Sequence, residues 1–268
     1  MTIGVCIKQV PASQEGRMDT ETGVLIRDGQ TRLNPFDLYP LELALQLRER
    51  HGGQVIALTM GPAGAVAVLR EAFALGADRG VLLCHPAFAG ADVLATTRAL
   101  AGAIRALGPA DCILCGRQTT DGDTAQVGPA LAAQLGLPVA GWVTQVEASV
   151  PHALTLRQSL SQEDYRLELP LPALLCVEPD AVRPRLPTLR LKLAAAKKEI
   201  ETLGLAQLAD SNPAGYGLVG SPTRVERIFL PERTATGLWL AGDADQLAHQ
   251  LAALLLPMAE GGAPDAAH

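Results

Sequence analysis

Aromatic side chains make up only 3% of this 268-residue chain although 48% of its residues are apolar, so its interior is built from aliphatic side chains. That is enough for one large core or at most two small ones. A basic excess is missing too. With a formal net charge of −6, the chain is a poor match for nucleic acid or an anionic membrane surface as its main partner. No apolar run comes near the roughly 18 residues of a membrane-spanning helix without a charge or a breaker. Met1 to Lys8 lacks the basic, apolar and small-residue succession of a secretion signal. These absences predict a soluble, cytoplasmic protein with no membrane insertion.

The five cysteines, Cys6, Cys84, Cys112, Cys115 and Cys176, are an odd number without disulfide-like or zinc-like spacing. Cys112 and Cys115 have the spacing of a redox dithiol, but such pairs open a helix, whereas these fall inside an apolar run. Three apart on a strand, they face opposite sides, which favours buried small hydrophobes. The histidines are scattered without metal-ligand spacing, and no serine or cysteine sits in a nucleophile elbow. Asp121 and Asp123 begin a calcium-loop pattern that fails at Ala125 and Gln126. Neither the Gly-x-Gly-x-x-Gly fingerprint nor a P-loop occurs. Hydrolase or transferase chemistry therefore has little support, and any nucleotide must be held by another arrangement.

What the chain does have is an alternation of apolar runs and helical stretches. Ile3 to Val10, closed by Pro11, reads as a first strand with Lys8 and Gln9 at its carboxyl end. Arg17 to Thr31 reads as a small hairpin. Asn34 stands as an N-cap before Pro35, ahead of a helix that is irregular at Pro40 or begins at Tyr39 and ends near Gly52. Gln54 to Met60, Arg79 to Cys84 and Asp111 to Gly116 continue the strands. Helices follow at Ala63 to Leu75 and, capped by Asp92, up to Leu107. The pattern predicts an α/β, doubly wound, mostly parallel sheet of Rossmann-like type with right-handed crossovers.

The fourth strand ends at Gly116, so the loop from Arg117 to Thr124 lies at the carboxyl edge of the sheet, where open α/β folds bind ligands. Asp123 or Thr124 is expected to cap the next helix, whose N-terminus suits a phosphate. One cation, Arg117, faces Asp121 and Asp123, so backbone amides must carry phosphate binding. The carboxylates suit the hydroxyls of a ribose or ribityl chain.

After Pro138 four short runs, Val139 to Glu147, Ala153 to Leu160, Tyr165 to Leu169 and Ala173 to Val177, read as antiparallel strands. Arg183 to Arg190 is too rich in proline for regular structure, and Leu191 to Ile200 reads as a helix. From Leu208 the chain is rich in glycine and proline and poor in core-forming residues. It carries an amphipathic helix at about Asp245 to Leu256 and a small-residue end expected to be disordered. The expected organisation is an α/β domain over residues 1–207 and an extended C-terminal arm over 208–268.

Gly116-Arg-Gln-Thr-Thr-Asp-Gly-Asp-Thr-Ala-Gln-Val-Gly128, with Val5-Cys-Ile-Lys-Gln-Val-Pro11 and Asn34-Pro-Phe-Asp37, resembles the beta subunit of electron-transfer flavoproteins, over Ile3 to about Glu201. The resemblance implies a nucleotide site made of Cys6, Lys8, Val10, Asn34, Pro35, Phe36, Asp37, Met60, Gly116, Arg117, Gln118, Thr119, Thr120, Asp121, Gly122, Asp123, Thr124, Ala125, Gln126 and Val127. On residues alone, Lys8 reads equally well as a solvated strand end and Asn34 as a helix cap. Phe88 to Thr97 resembles a second segment, adding Gly90, Asp92 and Thr96. It is similar to the branch that carries FAD rather than AMP in this subunit, reduces it with NADH and bifurcates its electrons. Ala12 stands where that pattern has aspartate, and Val93 where threonine is common.

The resemblance further implies an alpha subunit as heterodimer partner, wrapped by the arm, and a flavin-dependent dehydrogenase docked through Leu189. The residues alone leave the proline-braced segment open as an ordinary surface connection. Alternatives are a non-bifurcating carrier with structural AMP and a stand-alone nucleotide-binding protein of the same fold.

Overall fold

The computed structural model describes residues 1–12, 16–18, 25–27, 29–179, 181–224 and 237–259. β1 (Thr2–Cys6) is an interior strand of a nine-stranded sheet. The chain then leaves the sheet, because the Lys8 backbone N–H is taken by the Asp37 carboxylate at 2.7 Å. Instead of one long first strand there is a second short one, β2 (Gln9–Pro11). A hairpin of β3 (Gly16–Met18) and β4 (Leu25–Arg27) follows, with its turn outside the described residues; β5 (Thr31–Leu33) then pairs antiparallel with β2.

A 3-10 turn, Pro35–Asp37, leads into α1 (Leu38–His51). Pro40 lies in the first turn, where its missing N–H has no intrahelical partner to lose, so the helix begins before it. β6 (Gln54–Met60), α2 (Val66–Leu75), β7 (Arg79–Leu83), α3 (Val93–Leu107) and β8 (Cys112–Gly116) then alternate as the sequence pattern predicts. α4 (Val127–Leu135) precedes β9 (Val139–Val150), β10 (Ala153–Ser159), β11 (Asp164–Pro170) and β12 (Ala173–Val177). After them come α5 (Leu189–Ala195), β13 (Glu201–Leu203), the four-residue α6 (Gly217–Gly220) and α7 (Ala244–Ala259).

The sheet order is β11-β10-β9-β12-β8-β1-β6-β7-β13. Ile3, Val5, Leu41, Leu45, Leu69 and Phe73 form one core between the sheet and α1 and α2. Ile56, Leu58, Ala99, Ile113, Leu131 and Leu174 form the other under α3 and α4. This is the doubly wound arrangement, with aliphatic packing on both faces of the central strands.

Two sequence expectations need correction. Ala173 to Val177 is not antiparallel: β12 lies parallel between β8 and β9, and all its residues are buried, as for a strand covered on both faces. The helix expected over Leu191 to Ile200 is shorter and starts earlier, at Leu189, where the Thr188 hydroxyl accepts the Leu191 N–H at 3.2 Å. The residues after it form β13, which extends the sheet edge beside β7.

The chain divides into two compact units, Met1–Ile228 and Phe229–His268. Residues 208–224, expected in the arm, lie in the first: Tyr216 is 2% exposed, meets the Phe88 ring at 5.5 Å, and donates its hydroxyl to the Asp210 carbonyl at 2.6 Å. In the second unit, α7 carries Leu251, Leu254, Leu255 and Leu256 exposed. The chain end expected to be disordered lies outside the described residues. No helix among the described residues is long and apolar enough to cross a membrane.

Candidate functional site

From β1 the chain builds outward through β6 and β7, then returns by α3 to place β8 on the other side of β1. The order therefore reverses between β1 and β8, and the crevice beyond their carboxyl ends is where such sheets take ligands. Cys6, Met60, Gly116 and Val177 end their strands at this edge. Residues 117–126 run along this edge, from β8 to α4.

One side chain fastens this loop. Asn34 Nδ2 donates to the Gln118 carbonyl at 2.9 Å and to Asp37 Oδ1 at 2.9 Å, while its Oδ1 accepts the Thr120 N–H at 3.3 Å. Asn34 makes no side-chain cap to the turn that follows it, so its helix-cap reading is replaced by a tie to the loop. Asp37 accepts from the Lys8 N–H through its other oxygen. Burial pushes the Asp37 carboxyl up to about 7, against the pull of the Asn34 and Lys8 hydrogen bonds.

Gly116 makes this contact fit. A Cβ there would stand 2.6 Å from Asp37 Oδ1 and 2.7 Å from the Phe36 carbonyl. Pro35 and Phe36 thus serve as backbone packed on the end of β8. Gly128 plays the same part in α4, since a Cβ there would lie 2.3 Å from Cys176 Sγ.

Both cations of the site are paired with carboxylates. Lys8 Nζ meets Asp121 at 2.8 and 2.9 Å. Burial would raise the Asp121 carboxyl, but the hydrogen bonds from Lys8 and Thr119 hold it below the usual range. Arg117 donates to Gln118 Oε1 at 2.7 Å and Glu178 Oε2 at 3.1 Å, with its guanidinium 4.9 Å from the centre of the Trp142 ring.

Trp142 has φ +53° at an irregularity in the β9–β12 pairing and is 44% exposed. A bulky residue in that region is strained. Trp142 and Glu178 were not legible as neighbours of the loop, because a bulge and a strand order bring them there.

The loop closes on itself. Asp123 N–H donates to the Thr119 carbonyl at 3.1 Å, the Gly122 N–H faces the Thr119 hydroxyl at 3.4 Å, and Gln118 Nε2 donates to Asp123 Oδ1. Asp123 and Ala125 have φ +50° and +54°, so a right-handed helix cannot start at Asp123 or Thr124. That is a correction: α4 starts at Val127, with Gln126 before it and no side-chain cap. Pro129 supplies no N–H and the Ala130 N–H bonds Gln126, so the Val127 and Gly128 amides are the ones this helix end offers an anion.

The second segment stands apart. Asp92 caps α3 through the Ala95 N–H at 3.0 Å, and its other oxygen accepts from the Thr223 N–H and hydroxyl. Thr96 lies in the first turn of α3, and a Cβ on Gly90 would touch Leu218 at 3.2 Å. No hydrogen bond or ion pair among the described residues joins this group to the loop. Val10 is buried in β2.

Cys6, Cys115 and Cys176 are neighbours in register across β1, β8 and β12, while Cys112 faces the other core. Burial pushes the Cys112 and Cys176 thiols up to about 12, and the Cys6 hydrogen bond followed by burial raises Cys115. These are packed thiols unsuited to dithiol chemistry. Among the described residues no cluster could hold a metal ion.

The electron transfer flavoprotein domain model matches residues 22–208 of this chain. The chain is 41% identical to Protein FixA of Bradyrhizobium diazoefficiens over 254 residues, covering 92% of this chain and 88% of that protein. It is 39% identical to the electron transfer flavoprotein subunit beta of Megasphaera elsdenii over 253 residues, 91% and 93% of the two chains. It is 38% identical over 250 residues to the caffeyl-CoA reductase-Etf complex subunit CarD of Acetobacterium woodii, 90% and 93% of the two. With a family model spanning most of the chain and relatives matched over nearly their full length, the chain belongs to the electron transfer flavoprotein family, as a beta subunit with a role in electron transfer.

Proposed function

We propose that this chain is the beta subunit of a cytoplasmic heterodimer, holds FAD at the carboxyl edge of its sheet, and passes electrons between NADH or a flavin-dependent dehydrogenase and a flavin of the alpha subunit. The observation that carries the reading is the loop fastened by Asn34 over the β1/β8 crevice. With Lys8 and Arg117 paired to Asp121 and Glu178, the Val127 and Gly128 amides would take the phosphates, and the chemistry of the Asp121 and Asp123 carboxylates suits hydroxyls. FAD would supply the redox centre; the residues named here bind and orient it. Exposed leucines along α7 support an arm that covers its apolar side with the partner subunit.

Mass spectrometry of the nucleotides released by acid from the purified heterodimer tests the cofactor. Two FAD per heterodimer is the expected result. One FAD and one AMP would show instead a one-flavin carrier with a structural nucleotide.

Leu189, at the start of α5, is 73% exposed and is proposed to dock the dehydrogenase. Leu189→Ala should weaken docking by about 2 kcal/mol, the scale of burying one leucine. The readout is the KM for a purified flavin-dependent acyl-CoA dehydrogenase in reduction of the heterodimer. An unchanged KM with unchanged flavin content would make the segment an ordinary connection.

A further inference from the structure

Three of the four leucines between Arg183 and Lys198 stand out of the core: Leu186 is 87% exposed, Leu189 73% and Leu193 65%, while Leu191 is half-buried. Within α5 only Ala195 is buried. Hydrophobic burial holds the segment through Ala195 and in part Leu191, and polar contacts fasten its two ends.

At the C-terminal end, Arg70 of α2 donates to the carbonyls of Ala195 and Lys198, and Lys198 Nζ donates to the Ala77 carbonyl at 2.6 Å. At the N-terminal end, the Arg185 guanidinium forks onto Glu42 of α1, with Nε to Oε2 at 2.7 Å and Nη2 to Oε1 at 3.0 Å. Its Nη1 reaches Glu49 at 2.7 Å, and its backbone N–H adds a bond to Glu42 at 3.1 Å. Glu42 is 5% exposed and also accepts from Gln46 at 2.9 Å. Burial alone would raise its carboxyl, but these hydrogen bonds hold it below the usual range.

We propose that Arg185, forked onto Glu42 and Glu49, is a positioning residue that holds Leu186, Leu189 and Leu193 out as one apolar patch for a partner pocket with an acidic rim. This deepens, and rests on, the docking role proposed for Leu189.

Leu189 and Leu193 are four apart and so lie on one side of α5. Arg190, Lys192 and Lys197 are exposed around them, and none forms an ion pair among the described residues. Aliphatic side chains ringed by unpaired cations fit an apolar pocket edged by carboxylates.

The fork matters because the stretch it anchors contains Pro184 and Pro187 and lies outside any helix or strand. A planar guanidinium fixes direction as well as position, which an ammonium cannot do. Without it, docking must order the stretch anew, at the cost of its backbone freedom.

The test uses the full heterodimer with Glu42→Gln, Arg185→Lys and Leu189→Ala, each reduced by a purified flavin-dependent acyl-CoA dehydrogenase over a range of concentrations. Glu42→Gln is expected to raise the KM for the dehydrogenase about tenfold, the equivalent of ordering one residue, and to leave kcat within about twofold. Reduction by dithionite should be unchanged, and trypsin should cut faster after Arg190 and Lys192.

Arg185→Lys keeps the charge without the fork and should give a smaller rise; it also carries the test if Glu42→Gln does not fold. A raised KM for Leu189→Ala with normal KM and normal tryptic cleavage for the Glu42 and Arg185 variants would overturn the latch and leave the docking reading standing. No change in KM for any of the three would overturn the docking reading, and the latch with it.

Discussion

Gly116→Ala is expected to empty the proposed nucleotide site of the purified heterodimer and to destabilise the chain by about 1–3 kcal/mol, the usual cost of overpacking. The added methyl would sit 2.6 Å from Asp37 Oδ1 and 2.7 Å from the Phe36 carbonyl. Neither neighbour is the free end of a flexible side chain. Phe36 presents backbone, and Asp37 is held by the Lys8 N–H and by Asn34.

Relief therefore requires the 35–37 turn to retreat from β8. Asn34 moves with it, and the bonds to the Gln118 carbonyl and Thr120 N–H that shape the loop are lost. Gly64→Ala, which adds a methyl into open space, is the control. The measurement is nucleotide released per heterodimer together with a urea midpoint. Full nucleotide content in the Gly116 variant would mean that the turn yields without disturbing the loop.

Asp37 should make the chain less stable as pH rises from about 4 to about 7, an unusual direction for an aspartate. Burial raises its carboxyl from the ordinary 3.8 to about 7, so the folded chain holds this proton more tightly than the unfolded chain does. The stabilisation is complete below the unfolded value and disappears as the carboxyl ionises in place. A shift of this size corresponds to about 4 kcal/mol across that window.

Asp37→Asn removes the titration, at the cost of one hydrogen bond, because an amide cannot accept from both Lys8 and Asn34 through two oxygens. Urea unfolding of both proteins between pH 4 and pH 8 should therefore show their stability difference moving steadily against the aspartate as pH rises. Parallel curves would show that the ionised carboxylate is accommodated at no cost.

Much of the framework was legible from local pattern. Apolar runs ended by Gly61 and Gly116 announced strands, Asp92 announced the cap of α3, and the spacing of Cys112 and Cys115 announced opposite faces of one strand. Each of these is decided within a few residues, by backbone sterics, the two-residue period of a strand or the first turn of a helix.

The position of the loop at the sheet edge was legible too, since a parallel strand fixes where its carboxyl end lies. Its closure was not. Asp123 has the chemistry of a helix cap, and local propensity favoured that role, but its φ of +50° and its bond to Gln118 turn the chain away, and α4 waits until Val127. Those bonds lie within the loop, whose Gln118 carbonyl and Thr120 N–H are in turn held by Asn34, more than 80 positions earlier in the chain.

The sequence by itself determined the α/β alternation, an aliphatic core, the loop after β8 and, through its motifs, the family. Only the tertiary structure decided that Asn34 ties the loop instead of capping a helix, that Arg117 turns to Trp142 and Glu178, and that β12 slots between β8 and β9. It also brought Arg185 to Glu42, across 143 positions of chain. Periodicity, caps and breakers act over a few residues, whereas these pairings depend on strand order and on which helix covers which face. That choice is made by the burial of the two cores as a whole.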